Sequence, residues 1–205
     1  MRDLATTDPV FFAELAATYD LYAVLARDFD AEAGLGGKLL YAGELNLQGS
    51  RLMRAANIAG AASLGATADA TVQRMAIREG VADFLVTSLD EALRILKNEI
   101  RKRQTVAVCV AAAPEAMEAE MRERGVLPDL FAPIAPQPLR VDQIFLAVAD
   151  PPTDFEARVL GLLPESERAV RRWLRLSPRY LGPKARRVRS LACAKEIAAI
   201  LIADY

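Results

Sequence analysis

The chain has 205 residues, of which 53% are hydrophobic and only 6% aromatic, and its 26 basic and 27 acidic side chains give a formal net charge of −1. This length is enough for one sizeable core, and the near-neutral charge offers no overall attraction for nucleic acid or an anionic membrane. The chain contains no histidine, which excludes His-ligated zinc and the nucleophilic mechanisms that need a histidine base. We therefore expect no catalytic residue and no metal ligand of these common types.

The cysteines and the apolar runs indicate the cellular location that we expect for the protein. Cys109 and Cys193 lie far apart within apolar strings, which favours buried thiols over a metal site or a disulfide. Residues 1–9 have no apolar signal region, and the apolar run at residues 197–203 is too short to span a bilayer. We expect a soluble, cytoplasmic protein without a membrane partner.

The first elements resemble half of a nucleotide-binding unit. Asp8-Pro9 predicts the start of a helix that extends to about Asp28, with a possible break near Asp20. An apolar strand at residues 38–42 is followed by Gly43, by Gly49, and by a helix from about residue 50 to 60. A strand, a glycine turn and a helix in this order are typical of dinucleotide-binding βαβ units. An ordinary α/β turn would have the same pattern.

Strands and helices continue to alternate along the chain. Further strands are predicted near residues 61–66, 82–87, 105–110 and 143–149. Helices are predicted over residues 70–79, 88–103 and 114–124, and a four-proline linker over residues 128–138. Asp69 and Ser88 are N-cap residues for the first two of these helices. The pattern predicts an α/β fold: one doubly wound, mostly parallel, Rossmann-like sheet with helices on both faces and an N-terminal helix.

The C-terminal part has a different composition. Residues 168–195 contain ten Lys or Arg and no acid, and Trp173 and Tyr180 lie among them. Helices are predicted over residues 153–162 and 164–176, ending at Ser177-Pro178. The basic stretch either binds nucleic acid or phosphates, or covers an acidic part of the same molecule. We interpret residues 1–150 as a Rossmann domain with an N-terminal helical arm, and residues 151–205 as a basic helical extension packed on it.

A set of short motifs within residues 35–130 is collinear with a known family. The motifs are Leu35-Gly36-Gly37-Lys38-Leu39, Ala42-Gly43, Gly49, Ala59-Gly60-Ala61, Leu64, Asp69, Ser88-Leu89-Asp90-Glu91-Ala92-Leu93 and Arg124-Gly125-Val126-Leu127-Pro128-Asp129. In their order and spacing they resemble the central NAD-binding domain of urocanase (urocanate hydratase). The resemblance implies a doubly wound fold and places the cofactor loop after the first strand.

The chain departs from the family's pattern in that loop. The family's loop has the form Gly-x-Gly-Gly-x-x-Gly and holds the NAD pyrophosphate. Gly43 and Gly49 match its ends, but Leu45 and Asn46 replace its middle glycines. Side chains at these positions are expected to keep the backbone away from a pyrophosphate. We also expect Leu45 and Leu47 to place branched apolar groups beside the loop.

Other family features are also replaced. The acid that would hold the adenosine ribose falls at Thr67, two residues before Asp69. The histidine-containing stretch that follows Pro128-Asp129 is replaced by the apolar residues 130–136, and the cysteine-containing catalytic segment has no counterpart. We therefore expect no urocanate hydratase activity.

Three functional hypotheses follow. The first is a non-catalytic urocanase-like protein that acts through assembly, for instance as a homodimer, or through a protein partner, with no cofactor. The second is a binder of NAD, a related nucleotide or another small ligand in a crevice formed by Gly43, Asn46, Gly49, Ser50, Thr67 and Asp69. The third, an enzyme of unrelated chemistry, has no supporting set of residues, and nucleic acid is not an expected partner. The first two hypotheses differ in whether the crevice is open or filled by Leu45 and Leu47.

Overall fold

The structure is a computed structural model that describes residues 8–27, 30 and 32–203. Its elements in chain order are α1 (Pro9–Leu25), β1 (Leu39–Glu44), α2 (Leu47–Ala59), β2 (Ala62–Ala66), α3 (Ala70–Arg78), β3 (Phe84–Val86), α4 (Leu89–Arg101), β4 (Ala107–Val110), α5 (Pro114–Glu123), β5 (Leu130–Phe131), β6 (Gln143–Ala149), α6 (Phe155–Leu162), α7 (Arg168–Tyr180), a 3₁₀ helix (Pro183–Arg187), β7 (Val188–Ala194) and α8 (Lys195–Ala203).

Five strands form a parallel sheet in the order β3-β4-β2-β1-β5. The chain moves from β1 outward to β3, then returns through β4 to β5 at the opposite edge. Helices α2 and α3 contribute to the core on one face, which includes Ile58 and Ala76. Helices α4 and α5 cover the other face with residues such as Leu96 and Met117. After β3 the chain reverses its direction across the sheet, and its helices change to the other face at the same point, as expected when all crossovers have the same handedness. The prediction of a doubly wound, Rossmann-like fold is therefore confirmed.

The predicted strand at residues 143–149 exists, but its place in the parallel sheet was predicted wrongly. β6 pairs antiparallel with β7 in a separate two-stranded sheet, from Gln143↔Ala194 to Ala149↔Val188. Prolines at 133, 136 and 138 follow the short β5. Because proline has no N–H to donate to a ladder, the chain leaves the sheet there. The sequence interpretation also missed β7, which lies inside the basic stretch.

Several helix boundaries differ from the prediction. α1 continues past Asp20 without a break, and α2 starts at Leu47, several residues earlier than predicted. α7 continues through Ser177-Pro178 to Tyr180. A proline removes one helical hydrogen bond, and here it lies so near the helix end that only two more residues follow. The predicted linker also contains the two-residue strand β5.

The C-terminal elements pack on the Rossmann part through an aromatic cluster. Trp173 is fully buried, and its indole N–H donates to the Ser190 hydroxyl at 3.1 Å. Its ring contacts Tyr19 and Tyr22 of α1 and Phe145 of β6, with centroid distances of 5.0, 5.1 and 6.5 Å. Trp173 is therefore a core residue and offers no face to a nucleic acid. The domain boundary near residue 150 stays a prediction.

In the part of the chain that the structure describes, none of the helices is both long enough and apolar enough to cross a membrane.

Candidate functional site

A crevice of about 570 Å³ opens at the carboxyl end of β1. We call it the β1 crevice. It lies between the β1–α2 turn, helix α5 and the segment 132–136 that follows β5. Its lining consists of Leu21, Tyr41, Ala42, Gly43, Glu44, Asn46, Gln48, Gly49, Leu52, Glu118, Ala132, Pro133, Ile134, Ala135 and Pro136. Open α/β sheets bind ligands outside the carboxyl ends of their strands, and this volume suits a small metabolite.

The two leucines of the turn do not fill the β1 crevice, an alternative that the sequence left open. Leu45 is 1% exposed and belongs to the core beneath the turn. Its side chain passes so close to Gly65 that a Cβ there would lie 2.7 Å from the Leu45 Cδ1. Leu47 is 59% exposed, and neither leucine lines the crevice. The crevice is therefore open.

Asn46 is the N-cap of α2. Its side-chain oxygen accepts hydrogen bonds from the amides of Gln48 at 2.9 Å and Gly49 at 3.0 Å. A pyrophosphate at a helix N-terminus is held by such first-turn amides. Asn46 already accepts hydrogen bonds from two of these amides. It therefore does more than add a side chain to the turn, because it also occupies donors that a pyrophosphate would need.

Gly43 and Gly49 both lie at the β1 crevice and have different roles. Gly43 has a φ of 71°, and a Cβ there would meet no atom within 4 Å. At Gly49 a Cβ would lie 2.0 Å from the backbone oxygen of Glu44. Gly49 is thus required for α2 to approach the end of β1, which is the packing role of the last glycine in dinucleotide-binding turns.

The remaining predicted site residues lie outside the lining of the crevice. The Ser50 amide donates to the Asn46 carbonyl. Thr67 is 1% exposed, and its hydroxyl accepts from the Asp69 amide at 3.3 Å. Asp69 caps α3 through the amides of Thr71 and Val72. These backbone hydrogen bonds stabilise the carboxylate and lower the pKa of Asp69. The structure therefore brings Gly43, Asn46 and Gly49 to the crevice and leaves Ser50, Thr67 and Asp69 beside it.

Two carboxylates that the sequence interpretation missed line the β1 crevice: Glu44 at the end of β1 and Glu118 on α5. The described residues of the lining include no lysine or arginine. The Tyr41 hydroxyl faces the Pro114 carbonyl at 3.4 Å. Burial raises the pKa of Tyr41, and the charges of Glu118, Glu115 and Glu44 add to the effect. The crevice therefore has a negative electrostatic character.

The side chains most capable of nucleophilic chemistry lie away from the crevice. Burial raises the pKa of the Cys109 thiol to about 11, with a further contribution from Glu44, and burial alone raises that of Cys193 to about 11. Reactive cysteines instead have a lowered pKa and some exposure. Among the described residues, no group of three or more His, Cys, Asp or Glu is arranged to hold a metal ion.

Of the missed carboxylates, one left a signal in the sequence. Glu44 directly follows Gly43 in the turn, so its position at the strand end was predictable. Glu118 is distant in sequence and reaches the crevice only because α5 crosses to β5 beside β1. That juxtaposition depends on the strand order, which the sequence pattern leaves open.

A family model described as the urocanase Rossmann-like domain matches residues 15–136. The match begins within α1 and ends in the segment after β5. It therefore includes the entire five-stranded sheet and every residue that lines the β1 crevice. The elements from β6 to α8 lie outside it.

Proposed function

The chain belongs to the urocanase family through a Rossmann-like domain that covers more than half of its length, and from that membership we propose that it is a non-hydrating member that binds a small cationic ligand in the β1 crevice. The observation that carries this proposal is the open crevice with Glu44 and Glu118 in its wall and no basic residue in its described lining. The function is that of a binding module.

The electrostatics of the crevice weigh against NAD. Glu44 and Glu118 are exposed, so solvent screening limits the repulsion between each carboxylate and a pyrophosphate to about 1 kcal/mol. The two together correspond to an affinity loss of about thirtyfold. The occupied amides of Gln48 and Gly49 remove part of the compensating hydrogen bonding. The repulsion and the lost hydrogen bonds both weaken binding of the NAD pyrophosphate.

The same groups suit a cation with an apolar body. A carboxylate accepts short, charge-assisted hydrogen bonds from ammonium or amidinium groups. Leu21, Leu52 and Ile134 supply an apolar wall beside the carboxylates. Apolar walls with a few placed polar groups are typical of small-molecule sites.

Benzamidinium and uncharged benzamide test the proposal because they have nearly the same shape. Binding is followed by calorimetry and by the amide NMR shifts of Gly43 and Gly49. We expect benzamidinium to bind at least tenfold tighter than benzamide, and the Glu44→Gln/Glu118→Gln variant to lose that preference. Glu123→Gln, an exposed change on the same helix, is the control and should keep it. Equal affinities for the two probes in the wild type would refute the proposal.

Hydratase activity is tested directly. Incubation of the purified protein with urocanate and NAD should leave the urocanate absorbance unchanged relative to a protein-free sample. A protein-dependent loss of that absorbance would contradict the non-hydrating assignment.

A second function, assembly as a homodimer, is favoured by one further observation. β3 is an edge strand of the sheet, and its Phe84 and Leu85 are 48% and 42% exposed. Met75 and Ile77 on the neighbouring α3 are 47% and 41% exposed. Exposed apolar edge strands pair with other chains unless they are blocked, and a second copy offers the same edge.

Sedimentation should detect a dimer in the wild type and a monomer for Leu85→Lys. A wild type that remains monomeric at about 100 µM would exclude this assembly at micromolar affinity.

A further inference from the structure

A second cavity lies further along the loop that borders the β1 crevice. It has a volume of about 590 Å³ and lies between the end of α1, residues 137–140 and the first turn of α7. We call it the basic groove, because Arg27, Arg140 and Arg168 line it against a single acid, Glu167. No residue of the predicted site lies in it.

The pairing of the three arginines decides which of them can meet a ligand. Arg140 is held by Asp142 in a two-pronged ion pair, with distances of 3.0 and 2.7 Å. Arg27 donates to the uncharged side-chain oxygen of Gln137. Within the described residues, neither Arg27 nor Arg168 forms an ion pair. Among the described residues, the groove therefore presents two guanidinium groups with no carboxylate within ion-pair distance, although the charge of Arg168 reaches Asp30.

The rest of the groove is built like a small-molecule site. Tyr19 and Val170 in its wall are only 5% and 3% exposed. Gln143 and Ser166 add neutral hydrogen-bonding groups. Apolar surface with a few polar groups and a volume in this range is the usual composition of a ligand pocket.

Another arginine-rich cavity differs from the basic groove because most of its arginines are paired with carboxylates. It lies at the 3₁₀ helix and the start of α6 and is lined by Arg186, Arg187 and Arg189. There Arg187 pairs with Asp150 at 2.6 Å, and Arg189 lies 3.6 Å from Glu156. Two of its three positive charges are thus offset within the fold, and it is a weaker anion site than the basic groove.

We propose that the basic groove binds a small organic oxyanion, a phosphate monoester or a carboxylate, through Arg27 and Arg168. Guanidinium groups bind both kinds of oxyanion because two of their N–H groups match two oxygens of the ligand. The apolar body of the ligand rests against Tyr19 and Val170. The groove and the β1 crevice have opposite charge, so the two sites select different ligands.

The test compares phenyl phosphate and benzoate with uncharged benzamide. Binding to the full chain is measured by calorimetry, and the site is identified from the amide NMR shifts of Ala169 and Val170. We expect at least one of the two anions to bind tenfold tighter than benzamide, and Arg168→Gln and Arg27→Gln each to weaken that anion at least fivefold. The anion that binds tighter identifies the preferred oxyanion.

Arg175→Gln is the matched control, because Arg175 is exposed on the same helix and does not line the groove. Its affinity for the anion should stay within twofold of the wild type. An equal loss in Arg175→Gln and Arg168→Gln would show unspecific attraction to a basic surface and overturn the proposal. Anion affinities no tighter than that of benzamide would also overturn it. Glu123→Gln, an exposed change on α5 that lines neither cavity, should leave anion binding unchanged. Shifts at Ala169 and Val170, as against Gly43 and Gly49, separate this result from any outcome at the β1 crevice.

Discussion

Gly43 and Gly49 stand six residues apart in the turn after β1, and they are glycines for different physical reasons. Gly43 needs a positive φ, whereas Gly49 needs the absence of a side chain where α2 meets the Glu44 carbonyl. The family's glycine pattern is thus retained where it shapes the backbone. At position 46 a side chain takes the place of a glycine, and it accepts hydrogen bonds from the first-turn amides of α2 that a ligand would otherwise meet.

Alanine substitutions separate these two roles. Gly49→Ala should lower the free energy of unfolding by about 2–3 kcal/mol, because backbone and helix must shift to relieve the overlap. Gly43→Ala should cost only about 1 kcal/mol, the strain of a left-handed residue in open space. Urea unfolding of both variants measures the difference. Equal losses would contradict the packing role of Gly49.

Asp69 makes a prediction about pH. Its pKa is lowered in the folded state by the amides of Thr71 and Val72, so folding favours the ionised form. The stabilisation is fully present above the unfolded-state pKa, near 4, and is lost as the pH falls through the folded-state value. Asp69→Asn keeps an N-cap acceptor without this titration.

The measurement for Asp69 is the urea midpoint between pH 7 and pH 3. The wild type should lose more stability over this interval than Asp69→Asn. An identical pH dependence of the wild type and Asp69→Asn would refute the assignment.

At the scale of elements, α7 connects the two parts of the molecule. The Arg172 guanidinium donates to the Ile58 carbonyl at the end of α2, at 2.8 Å. The Arg171 guanidinium donates to the carbonyls of Leu160 and Leu163, each at 2.8 Å, where α6 ends. These two basic residues therefore satisfy helix ends, which explains part of the basic stretch without a nucleic acid.

Arg171→Met should destabilise the chain by about 2 kcal/mol, because carbonyls at the end of α6 lose a charged donor. Arg175→Met is the control, since Arg175 is exposed on the same helix, and it should change stability by less than about 0.5 kcal/mol. Chemical unfolding at pH 7 measures both variants. A loss for Arg171→Met no larger than for the control would contradict the capping role.

The alternating elements of the Rossmann part were predictable, because its apolar runs and capping residues such as Asp69 and Ser88 are local signals. The strand that pairs with β6 was not predictable, because β7 lies in a basic stretch and pairing between residues as far apart as Gln143 and Ala194 leaves no local pattern. At the site, the turn could be found from its glycines. The inward path of Leu45 depends on Gly65 in another strand, and the position of Glu118 depends on the strand order.

At the scale of the whole molecule, one loop and one helix border two cavities of opposite charge. Residues 132–136 and Leu21 of α1 line the acidic β1 crevice, and residues 137–140 and Tyr19 of α1 line the basic groove. The resemblance to urocanase implies that the first cavity is the place of a dinucleotide. In the proposed function, its carboxylates and its occupied helix N-terminus select against that ligand.

The most direct test is a calorimetric titration of NAD, with the site followed by the amide NMR shifts of Gly43 and Gly49. The wild type should bind NAD at the β1 crevice with a dissociation constant no better than about 1 mM. The Glu44→Gln/Glu118→Gln variant should bind at least tenfold tighter, because the repulsion of the pyrophosphate is removed. Micromolar binding of NAD by the wild type, with shifts at Gly43 and Gly49, would contradict the proposed change of ligand.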